Sequence, residues 1–155
     1  MEIMNQIYNS VNENKLRILL LLEHSNQEYL SPDMIAGLDF ITIYGKEFGV
    51  SRINLHGDNR FKFSELPSRR EKVDIAIKSL MLDGMLSYSL INGFKYQIND
   101  KGLEFIEKLT SSYAIEYGEI ADITCEKYGK MDEAELFKMI QEKSVVPLKN
   151  IREES

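Results

Sequence analysis

Apolar residues recur at helical spacing near the start of the sequence. Leu16, Leu19, Leu20 and Leu22 fall on one side of a helical period, below the polar opening Asn12, Glu13 and Asn14, which predicts a helix over 11–24. Ser31-Pro32-Asp33 then reads as a helix start. The serine hydroxyl can accept from orphan backbone N–H groups, and proline in the first turn forfeits no useful donor. Met34, Ile35, Leu38 and Ile41 carry the apolar face of this second helix toward Tyr44, with Asp33 and Asp39 suited to its N-terminal half. The two helices are expected to cross.

Over 45–64 the periodicity stops. Gly45, Gly49 and Gly57 are spaced among Lys46, Phe48, Arg52, His56, Asp58 and Arg60, which predicts a long loop, and the aromatic residues Phe48, Phe61 and Phe63 predict that it is ordered. Val73, Ala76, Ile77 and Leu80 restore the helical pattern and predict a third helix over 67–83, ended by Gly84, with Arg69-Arg70-Glu71-Lys72 as its exposed start. Residues 85–90 and 94–98 alternate like strands around Asn92-Gly93, a pair that tolerates the positive backbone angles of a hairpin turn. Asn99-Asp100 caps further helix through Leu103, Phe105, Ile106 and Leu109, and Tyr113, Tyr117, Ile120 and Thr124 continue the spacing to Gly129. A last amphipathic piece over 131–143 carries Ala134, Phe137 and Ile140, and the polar residues beyond Pro147 predict fraying.

Three helices, a two-stranded hairpin and then more helix is the element order of a winged helix-turn-helix. The expected fold class is therefore mainly α with a small β-hairpin: a winged-helix domain over 1–110, a C-terminal helical extension over 111–143 and a flexible tail over 144–155. A lone hairpin is marginal in water, so it must lay an apolar face on the helices, drawn from Met85, Leu86, Phe94, Tyr96 and Ile98.

Charge narrows the choice of partners. The chain carries 19 Lys and Arg against 25 Asp and Glu, a net charge of -6, so no global field draws it onto nucleic acid or anionic lipid. Over 60–80 the balance reverses locally, with six basic residues (Arg60, Lys62, Arg69, Arg70, Lys72, Lys78) against three acidic ones. In DNA-reading winged helices the corresponding helix enters the major groove, where arginines engage phosphates and guanine edges. The same cluster could instead meet an acidic protein surface or stay solvated. The longest apolar run, 16–22, is interrupted by Arg17 and is far shorter than the ~20 residues that span a bilayer. No membrane association is expected. The single cysteine, Cys125, cannot form an internal disulfide, and no secretory leader is recognisable; both predict a reducing, cytoplasmic setting.

Candidate chemistry is sparse. His24, His56 and Cys125 sit in separate segments without metal-ligand spacing. Cys125 lacks the flanking base that activates a thiol. Residues 44–49 contain glycines and a lysine but not the spacing of a phosphate-cradling loop, and no Gly-x-Ser-x-Gly elbow occurs. No catalytic residue, metal or cofactor is expected. Tyr113, Tyr117 and Ile120, together with Phe137 and Ile140, offer more apolar area than core packing alone accounts for, which suggests docking onto a partner.

The segments Leu16-Arg17-Ile18-Leu19-Leu20-Leu21-Leu22, Leu38-Asp39-Phe40-Ile41-Thr42-Ile43-Tyr44-Gly45 with Phe48-Gly49, Asn54-Leu55-His56-Gly57, Arg69-Arg70 and Gly93-Phe94-Lys95-Tyr96 together resemble the middle component of bacterial ABC-three-component systems, which overlap with the Lamassu anti-phage systems. The likeness covers roughly residues 16–113. It implies a small non-catalytic winged-helix adaptor subunit associated with a large SMC/Rad50-like ABC ATPase and an effector, often a nuclease, with DNA contact indirect. Asp39, Tyr44, Gly45, Phe48, Gly49, His56, Gly57, Arg69 and Arg70 match the family pattern. Taken with the residue reading, the expected partner-binding set is Tyr44, Phe48, His56, Arg69, Arg70, Lys72, Phe137 and Ile140. The competing expectation is a winged-helix DNA-binding transcriptional regulator.

Overall fold

The computed structural model describes residues 10–59 and 61–154, with side chains described as far as Ser144. Arg60, counted in the basic cluster, lies outside the described residues. In chain order the elements are α1 (Val11–Glu23), α2 (Pro32–Ile43), a 3₁₀ turn (Lys62–Glu65), α3 (Leu66–Leu82), β1 (Leu86–Ser89), β2 (Lys95–Ile98), α4 (Asp100–Glu107), α5 (Ser112–Tyr128) and α6 (Glu133–Glu154). The fold is mainly helical with one antiparallel hairpin.

Local chemistry starts the first two helices where the sequence predicted. Ser10 Oγ accepts from Glu13 N at 3.1 Å and Ser31 Oγ from Met34 N at 3.1 Å, capping α1 and α2. The helical spacing over 100–129 is not continuous. Ser111 turns extended and its hydroxyl caps α5 through Ala114 N at 3.2 Å, so the chain breaks into α4 and α5. The last helix continues on helical backbone through Pro147 to Glu154, where polar composition predicted fraying.

α1, α2, α3 and α5 pack on one another, α4 covers α1, and α6 lies on α2. One core holds them together, with Leu21, Ile35, Leu38, Ile41, Leu80 and Tyr117 fully enclosed. Helix α5 is part of that core, and Thr42 Oγ1 donates to Thr124 Oγ1 at 3.0 Å between α2 and α5.

The hairpin pairs Leu86 with Ile98 and Ser89 with Lys95, leaving a wide tip around Asn92 and Gly93, both at positive φ. Leu86 and Ile98 are its buried contacts with the helices. Phe94, expected on that buried face, is 56% exposed, because it lies in the tip beyond the last strand pair. Leu30, between α1 and α2, exchanges backbone hydrogen bonds with Tyr96 (2.9 and 2.8 Å) and extends the sheet by one residue on the β2 side. Backbone and side-chain contacts tie the described part of the loop after α2 to the helices. Leu55 N donates to Ile43 O at 2.9 Å, Lys46 N to Asn54 Oδ1 at 3.1 Å, and Lys62 pairs with Glu47 at 3.0 Å.

Candidate functional site: a buried charge network and two surfaces

Arg17 and Asp39 are the only charged residues in otherwise apolar stretches of α1 and α2, and both are almost fully buried, at 1% and 2% exposure. A charge placed there is tolerable only with a partner. Arg17 Nε donates to Asp39 Oδ1 at 3.0 Å, and its Nη2 donates to Asn14 Oδ1. Tyr117 from α5 donates its hydroxyl to the same Asp39 oxygen at 2.7 Å. Arg69 from α3 lies 3.9 Å from Asp39 Oδ2 and pairs with Glu65 at 3.2 Å. Four helices are thus tied at one carboxylate.

The loop joins the same network. His56 Nε2 and the Tyr113 hydroxyl are 2.8 Å apart with their rings stacked, and Arg69 Nη2 lies 3.5 Å from His56 Nδ1. Tyr44 donates to Glu65 Oε2 at 2.7 Å and Asn59 Nδ2 to Glu65 Oε1 at 2.6 Å. Burial pushes the Asp39 carboxyl up, but the Arg17 and Arg69 charges and the two hydrogen bonds more than offset it and leave it below its usual range. Burial works against the Arg17 charge, but the Asp39 carboxylate, the Tyr113 and Tyr117 hydroxyls and the hydrogen bond to Asp39 together more than offset it, so Arg17 is held protonated. Burial, then Arg17 and Arg69, push His56 down to about 3, so the imidazole is neutral. Burial raises the Tyr113 and Tyr117 hydroxyls, which keeps both as donors. Arg69 Nε and Nη1 find no hydrogen-bond partner among the described residues. The arrangement is a matched set of charges that fixes helix positions.

Much of the expected contact set is therefore internal. Arg69, predicted at the exposed start of α3, is 5% exposed because that turn of helix faces Asp39 and Glu65. Tyr44 and His56 belong to the same network. Phe48 is 1% exposed among the rings of Phe40, Phe63 and Tyr128, and its carbonyl accepts from the Tyr128 hydroxyl at 2.7 Å. Ile140 is buried as well. Asp39, assigned to helix-dipole stabilisation, instead serves as the centre of the network. Tyr113 and Tyr117, read as part of an apolar docking stripe with Ile120, instead hydrogen-bond inside the network, with Tyr117 and Ile120 buried in the core. Arg17 and Glu65 were not singled out by the sequence reading, although a lone arginine in a leucine run is a sign of a buried partner. Cys125 lies in the core beside Leu21 O, and burial pushes its thiol up to about 12.

The remaining expected residues reach the surface. Arg70 grips Asp33 with two hydrogen bonds (3.0 and 2.7 Å) and lies 4.9 Å over the Phe137 ring. Lys72 is half-buried. Arg70, Phe137 and Ile140 line a shallow cleft of about 280 Å³ between α3 and α6, with Phe63 and Leu66. A second surface was not predicted: Tyr88, Leu90, Ile91 and Phe94 all stand exposed on the hairpin, Ile91 at 76% and Leu90 at 61%. Among the described residues no group of acidic, histidine or cysteine side chains is arranged to hold a metal ion, and no helix is long and apolar enough to cross a membrane.

Neither the curated proteins nor the solved structures include a match to this chain. The family model for the ABC-three component (ABC-3C) system Middle Component 2 matches residues 7–149, a span that takes in the whole charge network, the hairpin and most of α6. On that match the chain belongs to the Middle Component 2 family of ABC-three-component systems.

Proposed function

We propose that this chain is a non-catalytic adaptor that joins an SMC/Rad50-like ABC ATPase to an effector, a nuclease, in a cytoplasmic anti-phage complex of the Lamassu type. Family membership supports a part in a multi-component assembly. The reading of the frame as a winged helix rests on the order α1, Leu30, α2, α3, β1, β2, with Leu30 as a one-residue third strand against β2. In this reading the ATPase senses foreign DNA and the adaptor keeps the effector inactive until that signal arrives.

One observation carries the choice of a protein partner over duplex DNA. The arginines that would read phosphates are engaged within the fold, Arg69 at Asp39 and Glu65 and Arg70 at Asp33, while the hairpin presents Tyr88, Leu90, Ile91 and Phe94 to solvent. Exposed apolar clusters of this kind fit a protein interface. Burying one Ile or Phe side chain contributes roughly 1.5–3 kcal/mol. Replacing both Ile91 and Phe94 by Asp should therefore weaken docking by at least about 100-fold, while the fold, which buries neither residue, persists.

The test is co-expression with the ABC ATPase of the same system and affinity capture at low and at high salt. The adaptor reading expects retention at both, and loss for the Ile91→Asp, Phe94→Asp variant. If the chain purifies alone under gentle lysis, or binds duplex DNA with the steep salt dependence of counterion release, the reading is wrong.

A further inference from the structure

A long trough runs beside α1 on a side that shares no residue with the exposed hairpin cluster. It consists of two adjoining cavities that meet at Leu109, one of about 800 Å³ and one of about 310 Å³. Residues 12 to 23 of α1, with the capping His24, form its spine, a length of about 18 Å at ~1.5 Å per residue. Its floor is apolar: Leu16, Leu19, Leu20, Leu80, Leu109 and Ala114. Such a shape suits an amphipathic helix of about 12 residues laid along α1.

The rim carries more negative than positive charge. Glu13 and Asp83 border the larger cavity, and Glu23, Glu119 and Asp122 the smaller. Facing these five carboxylates are the ammonium of Lys15, bound to Asp83 at 2.6 Å, and the His24 ring, 3.3 Å from Asp122. An incoming helix is therefore matched electrostatically if lysine or arginine flanks its apolar stripe. A helix flanked by glutamate is repelled.

Gly118 strengthens the assignment. It lies in the middle of α5 on the wall of the smaller cavity, where glycine costs roughly 0.5–1 kcal/mol relative to alanine. Internal packing does not require it, because a Cβ there would meet nothing nearer than His24 Nε2 at 3.8 Å. Gly118 is itself buried, so a larger side chain there would project into the cavity and narrow it.

We infer that the trough along α1, walled by α4 and the end of α3 on one side of Leu109 and by α5 on the other, is the docking site for a cationic amphipathic helix of a partner protein. The inference stands apart from the hairpin surface, since the residues of each can be changed without touching the other.

The probe is a fluorescent peptide of about 12 residues with leucine at helical spacing and lysine on both flanks, paired with a control in which glutamate replaces lysine. Anisotropy against the full chain should show saturable binding of the lysine peptide and none of the glutamate peptide. The exposed double reversal Glu119→Lys, Asp122→Lys should weaken binding at least tenfold, and so should Gly118→Leu, which fills the trough and suits a helix. Circular dichroism establishes that both variants are folded. Failure of the lysine peptide to bind, equal binding of the two peptides, or full binding by both variants would overturn the inference. So would sedimentation showing a dimer that the double reversal dissociates, because the trough would then be filled by a second copy of the chain.

Discussion

Replacing Asp39 by Asn tests whether the buried network holds the helices together. The amide keeps the side chain's size but removes the negative charge that faces Arg17 at 3.0 Å and Arg69 at 3.9 Å. Both arginines are at least nine-tenths buried, at 1% and 5% exposure, so neither can recover its hydration. Breaking a buried pair from one side costs about 3–5 kcal/mol, most of it the stranded cation rather than the lost bond. Against a total stability of about 5–15 kcal/mol this is a large fraction. For a chain of this length it corresponds to a fall in melting temperature of roughly 6–20 °C.

Urea unfolding followed by circular dichroism gives the difference directly, and the cycle with Arg17→Met isolates its origin. If the stranded charge is the main cost, the Arg17→Met, Asp39→Asn double variant is more stable than the sum of the single losses predicts, by about 2 kcal/mol. A loss below about 1 kcal/mol for Asp39→Asn, or strict additivity in the cycle, would refute the reasoning. The same carboxyl gives the network its acid limit. Its folded-state value is depressed, so its contribution is complete above the ordinary carboxylate range and is lost as pH falls through the folded value.

His56 adds a second, higher pH limit. Its folded value of about 3 lies below the ordinary 6.5, so the unfolded chain takes up the proton first and stability falls as pH drops from 6.5 toward 3. At pH 5 the loss amounts to at most about 2 kcal/mol, and His56→Gln should reduce the difference between urea midpoints at pH 7 and pH 5; an unchanged difference would show that the imidazole is not desolvated. Gly102→Ala places a Cβ 2.7 Å from both Met85 O and Ile98 Cγ1, where α4 meets the base of the hairpin. Backbone cannot yield as a side-chain tip does, so a loss of about 1–3 kcal/mol is expected by the same unfolding assay, against near-neutral behaviour if the hairpin base is loosely seated.

The apolar spacing, the serine caps and the Asn-Gly pair are local signals, and each acts on its own few residues wherever the chain later goes. That is why helices near 11–24, 32–44 and 67–83, the hairpin, and the mainly helical class with its small sheet were legible before any packing was known. The break at Ser111 was masked because Leu109 and Tyr113 continue the helical spacing on either side of it. The family likeness was legible for the same reason, since it rests on short runs such as Asn54-Leu55-His56-Gly57 and Arg69-Arg70.

What the sequence could not supply was which charges meet. Arg17, Asp39 and Arg69 stand on three different helices, and Tyr117 comes from a fourth, so their convergence depends on crossing geometry rather than on any local pattern. The sequence by itself determined the elements and a surplus of apolar and charged side chains. Only the tertiary structure decided that Arg69 turns inward while Ile91 stays outside, because burial is a property of the assembled helices. A side chain's access to water is set by neighbours distant along the chain.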